Sequence, residues 1–322
     1  MAENINLSFS HKVKEELALQ FGNARHCQIA ELAAYLNMCG EIACFCENFC
    51  LKIHTENFYV AKKCFTLLQN AFNIRLDISV HSSGKKRHSY LLLLRDTQQI
   101  RRVLQACGIH YDVKTCQMEH SISALVTGSI CCRRAYLRGA FLAVGSVNDP
   151  NKNYHLEFVM QTARLAEQLR EMMYSFSLEA KIVPRKEHFV VYLKEGEQIV
   201  DLLNVMGAHV ALMELENVRI VKEMRNDINR KVNCETANLN KVVGAAVKQL
   251  EDISYIQQTI GLHKLSPQLQ ELAEVRLQYP DKSLKELGML LSEPVGKSGV
   301  NHRLRKISGI AETLREGKGE AE

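Results

Sequence analysis

The residues best suited to chemistry in this chain lie near its end. Over Lys297 to Lys306 the sequence KSGVNHRLRK puts Ser298, Asn301, His302, Arg305 and Lys306 on one side of a helical wheel. Val300, Leu304, Ile307, Ala311 and Leu314 share a narrow arc on the other. Lys297 and Arg303 add charge at the margins, and no acid occurs between Glu293 and Glu312. Cations on such a face neutralise phosphates, while amide and guanidinium groups pair with base edges in a major groove. A weaker positive stripe, Arg219, Lys222, Arg225, Arg230 and Lys231 against Glu223 and Asp227, is expected to supply auxiliary phosphate contacts.

Other chemistries fare less well. Eleven cysteines is an odd number, and their spacings, including the adjacent Cys131 and Cys132, do not repeat as a disulfide framework. Cys39, Cys44, Cys46 and Cys50 place four thiols within twelve residues, but no C-x₂-C pair occurs. Alternation along a strand would send Cys44 and Cys46 to one face, away from a tetrahedron with Cys39. No catalytic residue, cofactor or metal is expected. A net charge of +5 is small for 322 residues, so affinity for nucleic acid must be concentrated locally. No apolar run approaches the roughly 20 residues that span a bilayer, and the opening MAENINLSFSHKVKEELALQ has no apolar signal core. The expected compartment is therefore the cytoplasm, at the nucleoid, with no membrane partner.

Three helices must position the basic face. Ser266 and Pro267 open the first (Leu269, Leu272, Ala273, Arg276), which stops at Tyr279 and Pro280. Asp281 or Ser283 caps the second (Leu284, Leu287, Leu290, Leu291); SEPVG makes a short turn, and the third starts near Lys297. This spacing predicts a helix-turn-helix with the basic face on its recognition helix. Upstream, two helices are expected, Glu214 to Arg230 and Thr236 to Ile256, joined through VNCET.

The first two thirds is a duplication. CQIAELAAYLNMCGEI (Cys27 to Ile42) and CRRAYLRGAFLAVGSV (Cys132 to Val147) align at an offset of 105 residues, pairing Ala30 with Ala135 and Gly40 with Gly145. After each come a strand-like run (Ala43 to His54; Asn153 to Gln161) and an amphipathic helix in which Val60, Cys64, Leu67 and Leu68 fall on Leu165, Leu169, Met172 and Met173. A hairpin follows, with Ile74, Leu76, Ile78 and Val80 in one copy and Phe189, Val191 and Leu193 in the other, its turns being SSGKK and PRKEH. Each copy closes with a helix ending at glycine, Gly108 or Gly207. Ahead of the first copy, Ser8 or Ser10 caps a helix carrying Val13, Leu17 and Phe21.

Helix, strands, helix, hairpin, helix, twice over, resembles the LAGLIDADG homing endonucleases. That resemblance implies two signature helices packed along a pseudo-two-fold axis, with Ala34 and Gly139, then Gly40 and Gly145, letting the backbones approach. It also implies a metal-binding acid before each final glycine. Here those positions hold Cys39 and Val144, which cannot coordinate a hard cation, and Glu41 has only Ser146 as its counterpart. The saddle of the sheets is a poor DNA surface as well: Leu91 to Leu94 make both faces of one strand apolar, and Asp77 and Glu157 bring negative charge. Hairpin-tip cations Lys85, Lys86, Arg87, Arg185 and Lys186 remain as auxiliary phosphate contacts.

The segments SFSHKVKEEL, CCRRAYLRGAFLAVGSVNDP, VVYLKEGEQIVDLLNVMGAH, NCETANLN and SLKELGMLLSEPVGKSGVNHRLRKI together resemble the WhiA family of Gram-positive bacteria. That resemblance runs from near the start to Leu314 and implies a sequence-specific transcriptional regulator of sporulation, cell division and chromosome segregation, bound to double-stranded promoter DNA and built on a former nuclease. Gly296 stands where the family's recognition helix begins with serine or threonine, a weaker cap. The expected fold is α+β. An N-terminal helix (1–24) precedes the duplicated LAGLIDADG-like domain (25–212, repeats about 25–110 and 130–212). A helical basic linker (213–260), an all-α helix-turn-helix domain (261–316) and a disordered tail (317–322) complete the chain. The repeat domain is left as a scaffold for other transcription factors or RNA polymerase. A protein-interaction scaffold, or an endonuclease using other acids, is the alternative function.

Overall fold

The computed structural model describes residues 8–45, 48–83, 87–112, 115 and 117–319. Helix α1 (Phe9–Ala18) starts where Ser8 accepts a hydrogen bond from the His11 amide at 3.2 Å. Val13 and Leu17 are buried, but Phe21 lies past the helix end and is 40% exposed. The first copy then runs α2 (Arg25–Cys39), β1 (Gly40–Phe45), β2 (Asn48–Thr55), α3 (Phe58–Phe72), β3 (Asp77–Ser83), β4 (Arg87–Leu94) and α4 (Thr97–Ala106). After a small β5 (His110–Asp112) and β6 (Gln117–Glu119) ladder, the second runs α5 (Ile130–Val144), β7 (Gly145–Val147), β8 (Leu156–Met160), α6 (Ala163–Tyr174), β9 (Lys181–Arg185), β10 (His188–Leu193) and α7 (Gly196–Met206). The two antiparallel sheets have matching orders, β1-β2-β4-β3 and β7-β8-β10-β9.

Two expectations about the strands need correction, the single strand after α2 and the start of β3, which begins at Asp77 and so leaves Ile74 and Leu76 before it. The run from Ala43 to His54 is a hairpin rather than one strand: β1 leaves α2 directly at Gly40 and pairs Gly40 with Ile53. No glycine or proline stands at residues 46–47 to mark the reversal. In β3, Ile78 and Val80 share the core side of the sheet with their partners Leu92 and Tyr90. They are nevertheless 46% and 56% exposed, because β3 is the edge strand and α3 packs over β2 and β4 instead.

The signature helices form the centre. α2 and α5 bury Ala30, Leu32, Ala34, Tyr35, Ala135, Tyr136, Leu137 and Ala140 against each other and the sheets. A Cβ on Gly139 would lie 2.5 Å from the Glu31 carbonyl oxygen and 3.0 Å from Ala34 Cβ, so this position admits only glycine at the observed separation. Gly40 and Gly145 act differently from expectation: an added Cβ there meets Leu36 or Phe141 of its own helix, at the bend into the strand. Beside Gly139 the interface holds charge. Glu31, 1% exposed at its side chain, receives Lys63 Nζ at 2.5 Å and Arg138 Nη2 at 3.0 Å. Lys63 also donates to the Leu17 carbonyl at 2.6 Å and Arg138 to that of Met206 at 3.2 Å. Removing one member of such a buried set leaves an uncompensated charge, which typically costs about 3–5 kcal/mol.

Helix α8 (His209–Thr259) is one 51-residue helix, so the expected break at VNCET does not occur. Asparagine and threonine there lower helix propensity, but without glycine or proline the helical hydrogen bonds continue. Its N-terminus is capped from far away in sequence, by the Glu16 carboxylate accepting the Val210 and Ala211 amides at 2.8 and 3.0 Å. The chain forms two compact units, Met1–Glu223 and Met224–Glu322. In the second, Ile253 and Ile256 of α8 share a core with α9 (Pro267–Gln278), α10 (Leu284–Met289) and α11 (Lys297–Gly319). α11 therefore extends through Gly319, past residue 317 where a disordered tail was expected, and 320–322 lie outside the described residues. No described helix is long and apolar enough to cross a membrane.

The close approach of α2 and α5 is testable by a pair of glycine substitutions. Gly139→Ala should destabilise the protein by about 1–3 kcal/mol through overpacking. Gly244→Ala, which meets nothing within 4 Å on exposed α8, should be neutral or stabilising by up to about 1 kcal/mol. Urea denaturation monitored by circular dichroism reads both; a neutral Gly139→Ala would rule out the tight contact.

Candidate DNA-binding surface

The C-terminal unit builds its basic face from a small core outward. Ser283 and Glu286 form a reciprocal capping box: the Glu286 amide donates to the Ser283 hydroxyl at 3.4 Å, and Glu286 Oε2 accepts from the Ser283 amide at 2.9 Å. Between α10 and α11 the turn folds tightly over α10, where the Val295 amide donates to the Gly288 carbonyl at 3.0 Å. A Cβ on Gly288 would come within 2.0 Å of the Val295 carbonyl oxygen, so glycine is required at this crossing. Glu271 of α9 anchors the same turn by accepting the Ser292 amide at 2.5 Å. Leu291 is buried, whereas Leu290, expected beside it, caps α10 and is 45% exposed.

α11 begins at Lys297, with the Gly296 carbonyl accepting the Val300 amide at 3.1 Å. Val300, Leu304, Ile307 and Ala311 are buried. Lys297, Ser298, His302, Arg305 and Lys306 are exposed, and Asn301 and Arg303 are half-buried. All seven residues expected on this surface thus belong to one helix, Arg303 and Lys297 at the margins of the polar face. Among the described residues neither Arg305 nor Lys306 makes an ion pair. The far end of α11 is pinned within the unit: Arg315 donates to the buried Asp252 of α8 at 2.8 Å and lies over the Tyr255 ring at 4.8 Å. Sequence reading passed over this pair because residues 63 apart gave no local signal. Buried Arg276, expected in the first helix of this unit, donates to the Lys282 carbonyl at 2.8 Å and so holds the α9–α10 connection.

The auxiliary stripe on α8 divides. Arg225, Arg230 and Lys231 are exposed, with Arg230 only 3.9 Å from Asp227. Lys222 is already engaged, donating to the Pro150 carbonyl at 2.6 Å with its ammonium 4.8 Å from the Tyr154 ring centroid. Arg219 is bound to Glu216 at 2.9 Å. Lys222 is thus positioned to hold α8 against the repeat domain, and Arg219 is paired within α8 itself, rather than either being free to meet phosphate.

On the sheet faces turned away from the core, Leu91 and Leu93 are half-buried, and Lys52 and His54 are their cross-strand neighbours. Glu157 sits between His155 at 3.2 Å and Arg185 at 3.3 Å, so Arg185 is tied to a carboxylate. Asp77 pairs with Arg95 at 3.6 Å across an exposed edge. Lys186 is exposed at its turn, with φ of 57°. Lys85, Lys86 and Cys46 lie outside the described residues, as do the side chains of Arg87 and Cys44. At the ends of the signature helices, Cys39 is pushed up to about 12 by burial, and burial lowers the Lys14 ammonium of α1 to about 8. α1 packs on α5 and β7 here, with Ser10 accepting the Val147 amide at 3.3 Å. This end of the helix pair carries a thiol, an isopropyl group and a nearby ammonium in place of two carboxylates.

Comparison with known proteins agrees with this layout. Residues 25–110 match the family model of the WhiA N-terminal LAGLIDADG-like domain, 133–225 that of the WhiA LAGLIDADG-like domain and 228–311 that of the WhiA C-terminal HTH domain. The chain is 49% identical over 313 residues to "Probable cell division protein WhiA" of Lachnoclostridium phytofermentans, a match spanning 96% of this chain and 100% of that one. It is 48% identical over 317 residues to the protein of the same name from Alkaliphilus oremlandii, spanning 97% and 99%. Among solved structures, full-length DUF199/WhiA from Thermatoga maritima is similar with a TM-score of 0.59 at 24% identity, covering 95% of this chain and 99% of that one.

The capping box gives the C-terminal unit a defined acid response. The Ser283 amide and hydroxyl, then Lys282 at 3.2 Å, hold the Glu286 carboxyl down to about 2 from its usual 4.5. Because the folded value is depressed, its contribution is complete above about 4.5 and is lost as pH falls toward about 2. The stability difference between wild type and Glu286→Gln should therefore shrink across that window. A difference that stays constant with pH would show that the carboxylate is not held by this cap.

Proposed function

The chain belongs to the WhiA family, and we propose that it is a sequence-specific DNA-binding transcriptional regulator acting in cell division, chromosome segregation and sporulation, in the cytoplasm at the nucleoid. The observation that carries this reading is the acid-free face of α11, where Ser298, Asn301, His302, Arg305 and Lys306 stand clear of the core formed by Val300, Leu304 and Ile307. In a helix-turn-helix the N-terminal part of the third helix enters the major groove. Asn301 and Arg305, one turn apart, then face base edges, while Lys306 beside them and Lys297 and Arg303 at the margins neutralise phosphates. Arg225, Arg230 and Lys231 add to the phosphate term from α8.

The LAGLIDADG-like domain serves as a scaffold without nuclease activity. Two-metal hydrolysis needs carboxylates to hold ions beside the attacking and leaving oxygens, and Cys39 and Val144 supply none. A second reading, a surface for a transcription factor or RNA polymerase on this domain, is favoured by one observation: Ile78 and Val80 are exposed together on edge strand β3.

Two predictions follow from the helix face. Arg305→Ala removes a base-edge contact worth about 1–3 kcal/mol and should relax sequence preference as it weakens binding. Lys306→Ala should weaken all sequences alike and reduce the salt slope by about one unit. Gel shifts at several salt concentrations on a selected promoter and a scrambled duplex separate the two; identical behaviour contradicts the face assignment. Binding should also persist in EDTA, and supercoiled plasmid should remain intact in Mg²⁺ or Mn²⁺. Nicking that survives repurification and disappears in Glu41→Ala would overturn the non-nuclease reading.

A further inference from the structure

At the opposite ends of the signature helices from Cys39 and Val144, the duplication brings together four side chains that the functions above do not use. His26 and Cys27 are the second and third residues of α2, and Cys131 and Cys132 hold the same places on α5. The offset of 105 residues pairs His26 with Cys131 and Cys27 with Cys132, so the cluster straddles the pseudo-two-fold axis. Their ligand atoms all lie within 4.8 Å of one another. His26 Nδ1 is 3.1 Å from Cys132 Sγ and 3.5 Å from Cys27 Sγ. Cys27 and Cys132 are buried in a small apolar cluster with Ala30 and Ala135, while His26 and Cys131 are exposed and close the group on its solvent side.

We propose that His26, Cys27, Cys131 and Cys132 bind one zinc ion that fastens the two repeats together at the N-terminal ends of α2 and α5. Three thiolates and an imidazole are a soft, tetrahedral donor set of the kind structural zinc takes. At Zn–S of about 2.3 Å and Zn–N of about 2.0 Å, tetrahedral ligand atoms sit roughly 3.5–3.8 Å apart, so the cluster, whose ligand atoms lie within 4.8 Å of one another, closes by up to about 1 Å on binding. A binuclear cluster would need its ligands farther apart. The helix ends favour the charge that forms: all four residues lie in the first turns of α2 and α5, at the positive ends of the two helix dipoles. Ser129 Oγ lies 3.3 Å from Cys131 Sγ and can donate to it, which would hold that sulfur in place for the metal. On binding, each thiol releases its proton to solvent and its sulfur donates a lone pair to the metal, with no change in oxidation state. The site escapes a reading by spacing because its two halves are far apart in sequence and neither is a C-x₂-C.

The test uses the full-length reduced protein, loaded with zinc and desalted, with metal content read by plasma mass spectrometry, and loaded in parallel with Co²⁺ for absorbance. The expected result is about one metal per chain, tetrahedral cobalt bands and thiolate charge-transfer absorption. Cys132→Ser and His26→Ala should abolish stoichiometric binding, while Cys234→Ser, on the exposed face of α8, should leave it intact. Since Cys132 is buried, circular dichroism checks its variant for folding; His26 is exposed, so His26→Ala decides the matter if Cys132→Ser fails to fold. The proposal is overturned if the wild type retains no zinc, if His26→Ala keeps both the metal and the cobalt spectrum, or if anaerobically purified protein carries a disulfide within the cluster.

Discussion

The molecule's N-terminal architecture depends on one contact, the approach of α5 to α2 at Gly139, where a single added carbon would strike the Glu31 carbonyl. That approach fixes the pseudo-two-fold axis. It places Glu31 between Lys63 of α3 and Arg138 of α5, a buried set whose charges tie the helix pair to α3 and, through backbone carbonyls, to α1 and α7. Desolvation offsets much of the Coulomb energy of this ion set, so its main effect is felt when one member is removed and a charge is left unpaired. The same axis sets the two ends of the helix pair. At one end the chain turns into the sheets at Gly40 and Gly145, with Cys39 and Val144 where a nuclease needs acids. At the other it gathers one histidine and three cysteines.

The second unit solves a different problem, which is to present a polar helix face from a core too small to be forgiving. Twelve buried residues form that core among the described residues, ten on α8 to α11 and two, Leu265 and Leu291, in the connections between them. Tight geometry supplies the rest: Gly288 under the turn, Glu271 on the Ser292 amide, the Ser283 capping box, and Arg315 on Asp252 at the far end of α11. None of these lies on the exposed face of α11 around Asn301 and Arg305, so that face can change in composition while the fold remains. A repeat domain with Cys39 and Val144 at the ends of its signature helices and a helix with an acid-free polar face therefore share one chain, each held by its own contacts.

Much of this was legible in the sequence because it is periodic. The offset between Cys27 and Cys132 exposed the duplication, and the arc of Val300, Leu304, Ile307 and Ala311 separated core from surface on α11. What stayed hidden was non-local or rested on a missing signal. Glu16 capping α8 and Arg315 meeting Asp252 join residues with no sequence periodicity between them. Lys222 read as a free cation because its partner is the Pro150 carbonyl, and backbone carbonyls carry no mark in a sequence. The hairpin of β1 and β2 looked like a single strand for want of a glycine or proline, while the VNCET segment looked like a break although nothing there interrupts helical hydrogen bonding.

The central claim is that α11 meets DNA and the saddle of the repeat domain does not. Hydrogen exchange by mass spectrometry on the full-length protein, with and without a selected promoter duplex in EDTA, measures both surfaces at once. The account predicts slower exchange around Lys297 to Lys306, and unchanged exchange in β4 and β10. Protection of those strands with α11 unaffected would contradict it.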